Sequence, residues 1–229
     1  MYKKYFLSLL ACAIIPFVTL QAEEESNPQN EVVSRAFGHM LGKNLIENPG
    51  YQFSLDDVIK GIKEEMAGEP SPLSDEEFDE LTAQISQKCL DEMSETNLKQ
   101  ANAFLEKNAD NEDIKEIVPG KLQMSVLKQG EGPTITENNT PLIHYTGRYL
   151  NDTVFGTSEQ MEPIALELNE TIPGFKQGLI GAKEGESRRL YIHPELGYGT
   201  SGFLLPNALM IFDIEVVKAQ VEQTDSPSS

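Results

Sequence analysis

An uninterrupted helical pattern over residues 74–108 constrains the fold of this chain more than any other feature. No proline or glycine interrupts it, and apolar residues recur at helical spacing: Phe78, Leu81, Ile85, Cys89, Met93, Ala101, Phe104 and Leu105. The helix would begin at "SDEE", which has the form of a capping box with Ser74 as the N-cap. At 1.5 Å per residue, an unbroken helix over this range is roughly 50 Å long. Its apolar stripe therefore needs a partner chain, or the helix is a stalk between domains.

Two shorter helices are predicted before the long one. Helical spacing runs from Val32 to Leu45 and stops at "ENPG", and a second helix follows Ser54, its expected N-cap, as far as Met66. A two-helix hairpin cannot cover a helix of the predicted length. The alternative is a break near Thr96–Asn97 that folds the long helix back on a small bundle.

The first 22 residues have the features of a signal peptide. Lys3 and Lys4 precede an apolar run over residues 5–20, and Ala22 stands directly before an acidic segment. We therefore expect cleavage after Ala22 and export to the periplasm of a bacterium. The alternative is that "LLAC", which ends at Cys12, is a lipobox, so that a lipid on Cys12 anchors the protein to the outer membrane.

Charge and cysteine content exclude several functions. Two of the 18 basic residues lie in the expected signal peptide, which leaves 16 against 37 acidic residues. Because phosphate backbones are bound by clustered Lys and Arg, we expect no nucleic-acid binding. Cys89 is the only cysteine after the expected cleavage site, so an internal disulfide cannot form. The histidines, His39, His144 and His193, lack the spacing of a metal site, and we expect no metal or cofactor.

After "IVPGK" the apolar pattern changes from helical to alternating. The alternation predicts five strands, around residues 122–126, 143–145, 164–168, 190–192 and 210–216. Among them only "GFKQGLIGAK", residues 174–183, looks helical. The fold class is therefore α+β, with N-terminal helices followed by an antiparallel sheet domain of about 100 residues with one short helix. The polar last residues, 221–229, are expected to be disordered.

An aromatic set within the sheet domain is the candidate site. Its members are Tyr145, Phe155, Phe175, Tyr191, Tyr198 and Phe212. Each one alone could be an ordinary core residue, but three stand in loops or at the start of the predicted helix, namely Phe155, Phe175 and Tyr198. Aromatic residues in loops at a sheet edge predict an apolar pocket with phenol hydroxyls at its rim. The chain has no G-x-S-x-G motif, which argues against nucleophilic hydrolysis.

Several segments resemble a known enzyme family. "LIHYTGRYLNDTVFGTS", "TIPGFKQGLIGAKEGESRRLYIHPELGYG" and "PNALMIFDIEVV" are similar to successive signatures of the FKBP-type peptidyl-prolyl cis–trans isomerases. Upstream, "VSRAFGHMLGKNL" and "NLKQANAFLEKNADNEDIKEIVPGKLQ" resemble the helical dimerisation segment of the Mip (macrophage infectivity potentiator) group. The resemblance implies a half-barrel sheet wrapped on one short helix, and a homodimer joined through the N-terminal helices.

The residue patterns and the resemblance together divide the chain into five segments. They are a signal peptide at 1–22, a helical dimerisation domain at 23–73, a long connecting helix and linker at 74–118, an isomerase domain at 119–220 and a disordered tail at 221–229.

The implied activity is cis–trans isomerisation of prolyl bonds in polypeptides. By the resemblance, the catalytic residues are Tyr198, Ile172 and Tyr145. The Tyr198 hydroxyl and the Ile172 backbone N–H would hold substrate carbonyls. The implied substrate-binding residues are Phe155, Ile164, Thr171, Phe175, Leu204 and Phe212. Proline-containing polypeptides are the implied partners, and macrolide-type inhibitors would bind the same pocket.

The sequence departs from the family pattern at two pocket positions. Gly156 stands where the family usually has Asp, and Phe175 stands where Trp is commonest. We therefore expect reduced activity and altered inhibitor affinity. The alternative function is a dimeric chaperone or surface interaction protein that binds polypeptide chains and has weak isomerase activity.

Overall fold

The structure is a computed structural model that describes residues 28–46, 53–202 and 204–221 of the chain. The expected signal peptide, Cys12 and all but the first residue of the expected tail lie outside this part. The chain divides into two units, residues 1–48 and 49–229. Within the described residues, no helix combines the length and apolar character needed to cross a membrane.

The first unit contains one described helix, α1, which spans Pro28–Ile46. It ends directly before "ENPG", as the sequence predicts. Its apolar side chains are more than half exposed at Val32, Val33, Phe37 and Met40. No other described residue of this unit covers the apolar face, because α1 is its only described element.

The second unit begins with α2, Leu55–Ala67. The predicted N-cap is confirmed, because Ser54 Oγ accepts a hydrogen bond from the Asp57 N–H at 3.3 Å. Gly68 ends the helix in the left-handed conformation, with φ 75°. The apolar side chains of α2 are largely exposed, like those of α1: Leu55, Ile59, Ile62 and Met66.

Helix α3 spans Asp75–Asn108 without a break. The predicted long helix is therefore confirmed, and the alternative of a break near Thr96–Asn97 is wrong. The predicted capping box is present: Ser74 Oγ accepts from the Glu77 N–H at 3.3 Å, and the Glu77 carboxylate accepts from the Ser74 N–H at 2.9 Å. Among the buried residues of α3 are Ala101 and Leu105, both near its C-terminal end.

The rest of the second unit is a seven-stranded antiparallel sheet and a short helix, α4, at Pro173–Leu179. The strands are β1 Lys115–Val118, β2 Leu122–Lys128, β3 Leu142–Arg148, β4 Val154–Thr157, β5 Ile164–Ala165, β6 Ser187–Ile192 and β7 Met210–Lys218. Their order is β1-β2-β6-β7-β3-β4, and β5 pairs with β3. The predicted fold class, α+β with N-terminal helices, is confirmed.

Three local predictions differ from the structure. Strands β1 and β4 were not predicted, since four residues are too few to show an alternation. The strand expected over residues 164–168 ends at Ala165. Leu168 instead begins a 3-10 turn, and its apolar side chain is buried in the core. Helix α4 ends at Leu179 rather than continuing to residue 183. Ile180 already leaves the helical conformation, with φ −58° and ψ 131°, and Gly181 follows in the left-handed conformation, with φ 85°.

Each face of the sheet packs on a different helix. Along β6, Leu190 and Ile192 belong to the cluster that α4 covers, whereas Tyr191 between them belongs to a second cluster with Ala101 and Leu105 of α3. The alternation of side chains along a strand explains this division. The C-terminal part of α3 is therefore a layer of the sheet domain.

Helix α4 lies very close to the sheet because two of its residues are glycines. A Cβ at Gly174 would fall well inside van der Waals contact with Ile192, and a Cβ at Gly178 would do the same with Leu190. Phe175, between these glycines, is buried with Leu179 in the first cluster. The start of α4 is thus fixed against β6, next to the predicted site.

Candidate functional site

A cavity of about 520 Å³ lies between α4 and the sheet face that α4 covers. The structure brings all nine predicted site residues together around it: Tyr145, Phe155, Ile164, Thr171, Ile172, Phe175, Tyr198, Leu204 and Phe212. These residues come from separate strands, loops and the start of α4. Their convergence forms a concave, mainly apolar site with a few polar groups, as is typical of ligand pockets.

Phe212 on β7 is the centre of an aromatic cluster in the cavity wall. The ring of Phe175 lies 4.9 Å from that of Phe212 at 86°, and the ring of Phe155 lies 5.5 Å from it at 83°. Both are the edge-to-face arrangement that aromatic pairs prefer. The Tyr145 ring is 6.2 Å from Phe212. A Cβ on Gly147 would lie 2.5 Å from Phe155, so the glycine is needed for this packing.

The backbone before α4 presents a free hydrogen-bond donor. Ile172 is the N-cap residue, with φ −60° and ψ 146°, and Pro173 is the first helical residue. The Ile172 carbonyl accepts from the Phe175 and Lys176 N–H groups at 3.0 and 3.1 Å. No group of the described residues accepts a hydrogen bond from the Ile172 N–H. An unpaired N–H is typical of a helix start, and here it belongs to a residue that lines the cavity.

Two tyrosines contribute hydroxyls to the site. Tyr198 stands in the loop after the 3-10 turn Pro194–Leu196 and is 49% exposed, so its hydroxyl is accessible from solvent. Tyr145 lies on β3, next to Gly156 of β4, and a Cβ on that glycine would be 3.4 Å from the Tyr145 hydroxyl. Within the part of the chain that the structure describes, neither hydroxyl has a side-chain hydrogen-bond partner. Gly156, next to Tyr145, supplies no carboxylate that could accept one.

The cavity contains little charge. Among the described residues that line it, Glu170 alone is charged. The nearby Lys176 ammonium is already bound by the Glu137 carboxylate and the Asn169 side chain, each at 2.9 Å. Among the described residues, no group of three His, Cys, Asp or Glu side chains is arranged to hold a metal ion. The arrangement can hold an apolar group, and the Ile172 N–H and the hydroxyls of Tyr145 and Tyr198 can form hydrogen bonds with polar atoms next to that group.

Four residues line the cavity without having been predicted as part of the site: Ile143, Leu166, Glu170 and Gly202. For two of them, the position in the sequence could have indicated a place in the site. Ile143 is two residues before Tyr145 on β3 and therefore shares its face of the sheet. Glu170 directly precedes Thr171 and Ile172. Leu166 and Gly202 come from irregular segments whose position depends on the whole fold.

Comparison with known proteins identifies the family. The profile of the "FKBP-type peptidyl-prolyl cis-trans isomerase" domain matches residues 132–217, and that of the "Domain amino terminal to FKBP-type peptidyl-prolyl isomerase" matches residues 30–126. "Peptidyl-prolyl cis-trans isomerase Mip" of Chlamydia muridarum is 41% identical over 198 residues, which cover 86% of this chain and 82% of that protein. The chain belongs to the FKBP-type isomerases. The match to the Chlamydia protein also confirms the resemblance to the Mip group.

Other relatives of this FKBP-type isomerase agree. The Mip isomerase of Chlamydia trachomatis is 40% identical over 198 residues, again 86% of this chain and 82% of the relative. Among solved structures, FkpA from Escherichia coli matches with a TM-score of 0.69 and 25% identity, covering 86% of this chain and 97% of FkpA. The chain is accordingly a peptidyl-prolyl cis–trans isomerase, and the cavity between α4 and the sheet lies within its FKBP-type domain.

Proposed function

We propose that this isomerase is an exported dimer that accelerates rotation about Xaa-Pro bonds while envelope proteins fold, with the substrate proline held in the cavity under α4. One observation supports the site above all. Nine residues that the sequence singled out line a single apolar cavity, within the part of the chain that matches the isomerase domain. The proposed partners are proline-containing polypeptides, and macrolide-type inhibitors would compete with them.

The chemistry needs no proton transfer and no nucleophile. The barrier to rotation comes from amide resonance, which keeps the prolyl bond planar and gives it a charge-separated character. An apolar cavity disfavours that planar form relative to the twisted form, in which resonance is lost. Stronger binding of the twisted form lowers the barrier. Because uncatalysed rotation takes tens of seconds or longer, even a modest difference in binding accelerates folding.

We assign three polar groups to catalysis. The Ile172 N–H and the Tyr198 hydroxyl donate hydrogen bonds to substrate carbonyls on either side of the rotating bond. The Tyr145 hydroxyl, unpaired among the described residues and next to Gly156, is the third polar group. The proline ring contacts Phe212 and Phe175, and Phe155, Ile164, Thr171 and Leu204 complete the substrate-binding surface.

An isomerisation assay on a panel of Xaa-Pro peptides tests these roles. We expect Tyr198→Phe to lower kcat/KM by about tenfold, since one hydrogen bond to the twisted amide is lost. The matched control is Tyr191→Phe, because that ring lies on the opposite face of the sheet and outside the cavity. Wild-type protein without any acceleration, or equal effects of both substitutions, would contradict the proposal.

Gly156→Asp tests whether the missing carboxylate reduces activity. The added Cβ would lie 3.4 Å from the Tyr145 hydroxyl, an ordinary contact, so the carboxylate can accept a hydrogen bond from it. We expect kcat/KM to rise by roughly three- to tenfold, the effect of one orienting hydrogen bond. Gly156→Ala is the control, because it adds the Cβ without the acceptor. An increase shared by both variants would attribute the effect to shape rather than to the carboxylate.

Dimerisation and export are the cellular part of the proposal. The matched N-terminal domain, at residues 30–126, and the exposed apolar faces of α1 and α2 support a homodimer through the N-terminal helices. A relative from Legionella longbeachae, 26% identical over 199 residues, is named "Outer membrane protein MIP", which supports an envelope location. Light scattering measures the mass of the assembly, and a monomer at micromolar concentration would contradict the dimer.

We propose periplasmic release by cleavage after Ala22, with residues 23–73 as the dimerisation domain, 74–118 as the connecting segment, 119–220 as the isomerase domain and 221–229 as a tail. Mass spectrometry of the mature protein checks the cleavage site. A lipidated N-terminal Cys12 would instead support anchoring in the outer membrane.

Gly156 also favours a second candidate, a dimeric chaperone with weak isomerase activity. Without the carboxylate, the cavity binds a proline-containing chain mainly through apolar contact. Suppression of client aggregation measures this function. If suppression is retained in Tyr198→Phe while kcat/KM collapses, the chaperone is the main activity, whereas a parallel loss of both supports the isomerase.

A further inference from the structure

One wall of the cavity is a loop rather than a helix or strand. It connects the 3-10 turn Pro194–Leu196 to β7 and supplies Tyr198, Gly202 and Leu204 to the cavity. Most of the other lining residues lie on strands or at the start of α4, where sheet hydrogen bonds and the close packing of α4 hold them. A loop is not held by the repeated hydrogen bonds of a sheet, and ordering its backbone costs conformational entropy. Contacts outside the cavity must therefore help to define where Tyr198 lies.

Helix α3 provides two such contacts through polar side chains. Asn97 Nδ2 donates a hydrogen bond to the Pro206 carbonyl at 2.8 Å, and Asn207 Nδ2 donates to Ser94 Oγ, also at 2.8 Å. Ser94 and Asn97 are three residues apart and therefore lie on the same face of the helix. Both hydrogen bonds join parts of the chain that are more than 100 residues apart in sequence.

The helix face that makes these bonds is itself firmly placed. One and two turns further along α3, Ala101 and Leu105 are fully buried against Leu209 and Ile211. The Phe104 ring packs on Tyr191 at a tilt of 37°, with 5.5 Å between ring centroids. This apolar contact with the sheet holds the segment of α3 from which Ser94 and Asn97 reach the loop.

A short path of hydrogen bonds connects Ser94 to Tyr198. The Asn207 side chain is bound to Ser94, and the Asn207 backbone N–H donates to the Gly199 carbonyl at 2.7 Å. Gly199 directly follows Tyr198. Asn207 has φ 50°, in the left-handed region that Asn tolerates better than most residues, so both of its bonds form in an unusual but suitable backbone conformation.

The same loop is attached to the cavity wall at a further point. The Leu205 N–H donates to the Tyr149 hydroxyl at 3.1 Å, and the Tyr149 ring lies 4.8 Å from Phe155. The loop is therefore held from the sheet side by Tyr149 and from the helix side by Ser94 and Asn97. Only the helix side involves residues outside the segment that matches the isomerase domain, residues 132–217.

We propose that Ser94 and Asn97 are positioning residues for the isomerase reaction. They hold the loop through Pro206 and Asn207, so that the Tyr198 hydroxyl stays at the rim of the cavity where a substrate carbonyl arrives. Neither residue touches the cavity. The inference rests on the role proposed above for Tyr198, and it makes α3 part of the machinery that orients the site.

The test uses the full-length chain with the double substitution Ser94→Ala/Asn97→Ala. Alanine is the best helix former, so α3 is retained while both hydrogen bonds to the loop are lost. We expect kcat/KM to fall by roughly three- to tenfold, the effect of losing about one net hydrogen bond. Ser94→Thr keeps a hydroxyl for Asn207 and should retain wild-type activity. Gln87→Ala is the helix control, since the side chain of Gln87 has no hydrogen-bond partner among the described residues except Asp91 on the same helix.

Two further measurements separate positioning from a general loss of stability. In a Tyr198→Phe background, the double substitution should have little additional effect, because the hydroxyl that it positions is already absent. Additive effects, or wild-type kcat/KM in the double variant, would overturn the proposal. Hydrogen exchange of the Asn207 amide should be faster in the double variant but unchanged in Gln87→Ala. This readout still tests the attachment of the loop if the wild-type protein proves to have no isomerase activity.

Discussion

The two halves of α3 lie in opposite environments although they form one continuous helix. In residues 75–93, Phe78, Leu81 and Ile85 are each more than 40% exposed, whereas in residues 94–108 Ala101 and Leu105 are at most 1% exposed. The sequence gives both halves the same apolar spacing. The same pattern thus has two outcomes, since the second half covers the sheet whereas the first half is exposed.

The exposed half depends on local interactions. They comprise the Ser74–Glu77 capping box and spaced pairs such as Gln87 with Asp91 at 2.9 Å and Lys88 with Glu92 at 3.8 Å. Such pairs contribute only about 0.2–0.5 kcal/mol each. The exposed N-terminal half therefore depends on the docked C-terminal half for its stability. A second chain would bury its apolar side chains.

Removing the docked half should have the largest effect. A fragment of residues 109–221 keeps every strand but exposes Tyr191, Leu209 and Ile211, whereas a fragment of residues 93–221 keeps their cover. We expect the shorter fragment to lose about 5 kcal/mol of unfolding free energy or to fail to fold, since it loses more than one core side chain. Chemical denaturation measures the difference. Equal stability of the two fragments would mean that α3 is not part of the domain.

A pair of leucine substitutions compares the halves within the full chain. Leu105→Ala should lower the unfolding free energy of the sheet domain by about 2–5 kcal/mol, because the side chain is buried and leaves a cavity. Leu81→Ala should change it by less than about 0.5 kcal/mol, because the side chain is exposed. Thermal unfolding at low protein concentration measures both. A large effect of Leu81→Ala that grows with protein concentration would show that a partner chain buries it.

Acidification should weaken the contact between α3 and the sheet domain. His193 is 2% exposed, its Nε2 lies 3.2 Å from Asn102 Oδ1 of α3, and its Nδ1 accepts from the Glu195 N–H at 3.2 Å. Burial lowers the pKa of His193 below 6.5, Glu195 acts to raise that pKa, and Lys121 lowers it further. A lowered pKa means that the unfolded chain takes up the proton first, so this stability is present above pH 6.5 and is lost as the pH falls from there through the folded-state pKa.

The loss cannot exceed about 1.4 kcal/mol per pH unit for one group. Denaturation between pH 7.5 and 5 measures it. His193→Asn should flatten this part of the pH profile, because an Asn side chain can still accept from the Glu195 N–H but does not titrate. An unchanged slope in the variant would assign the pH dependence to other groups.

The smallest effect concerns the N-terminus of α3. Ser74→Ala removes the acceptor of the capping box and should cost about 1 kcal/mol, confined to the first turns of the helix. Hydrogen exchange of the Glu77 amide measures it, with Ser71→Ala as the control in the loop before the helix. Isomerase activity should not change. A fall in kcat/KM would show that the exposed half is coupled to the site more strongly than its contacts indicate.

Local rules account for what the sequence predicted. The caps at Ser54 and Ser74, the unbroken α3 and the alternating strands all follow from interactions between residues close in sequence. The nine site residues came from the family resemblance, and the structure adds that they converge on one cavity.

What the sequence left open depends on contacts between distant segments. The docking of Ala101 and Leu105 onto the sheet cannot be distinguished from a dimer stripe by spacing alone. The roles of Ser94 and Asn97 were invisible, since polar residues on a helix are usually solvated and their partners lie more than 100 residues away. Strand β4 was missed because "VFGT" has no alternation, and its place is set by pairing with β3.

Gly156 makes the cavity wall different from that implied by the family pattern, and this difference would give selectivity to an inhibitor bound at the proposed site. An inhibitor carrying a small apolar substituent toward Gly156 and Tyr145 would fill the space that the glycine leaves empty. In a relative with Asp at this position, the same substituent would displace or desolvate a carboxylate, which costs several kcal/mol. Compounds that discriminate this isomerase from such relatives should therefore be extended at this wall rather than toward Phe212.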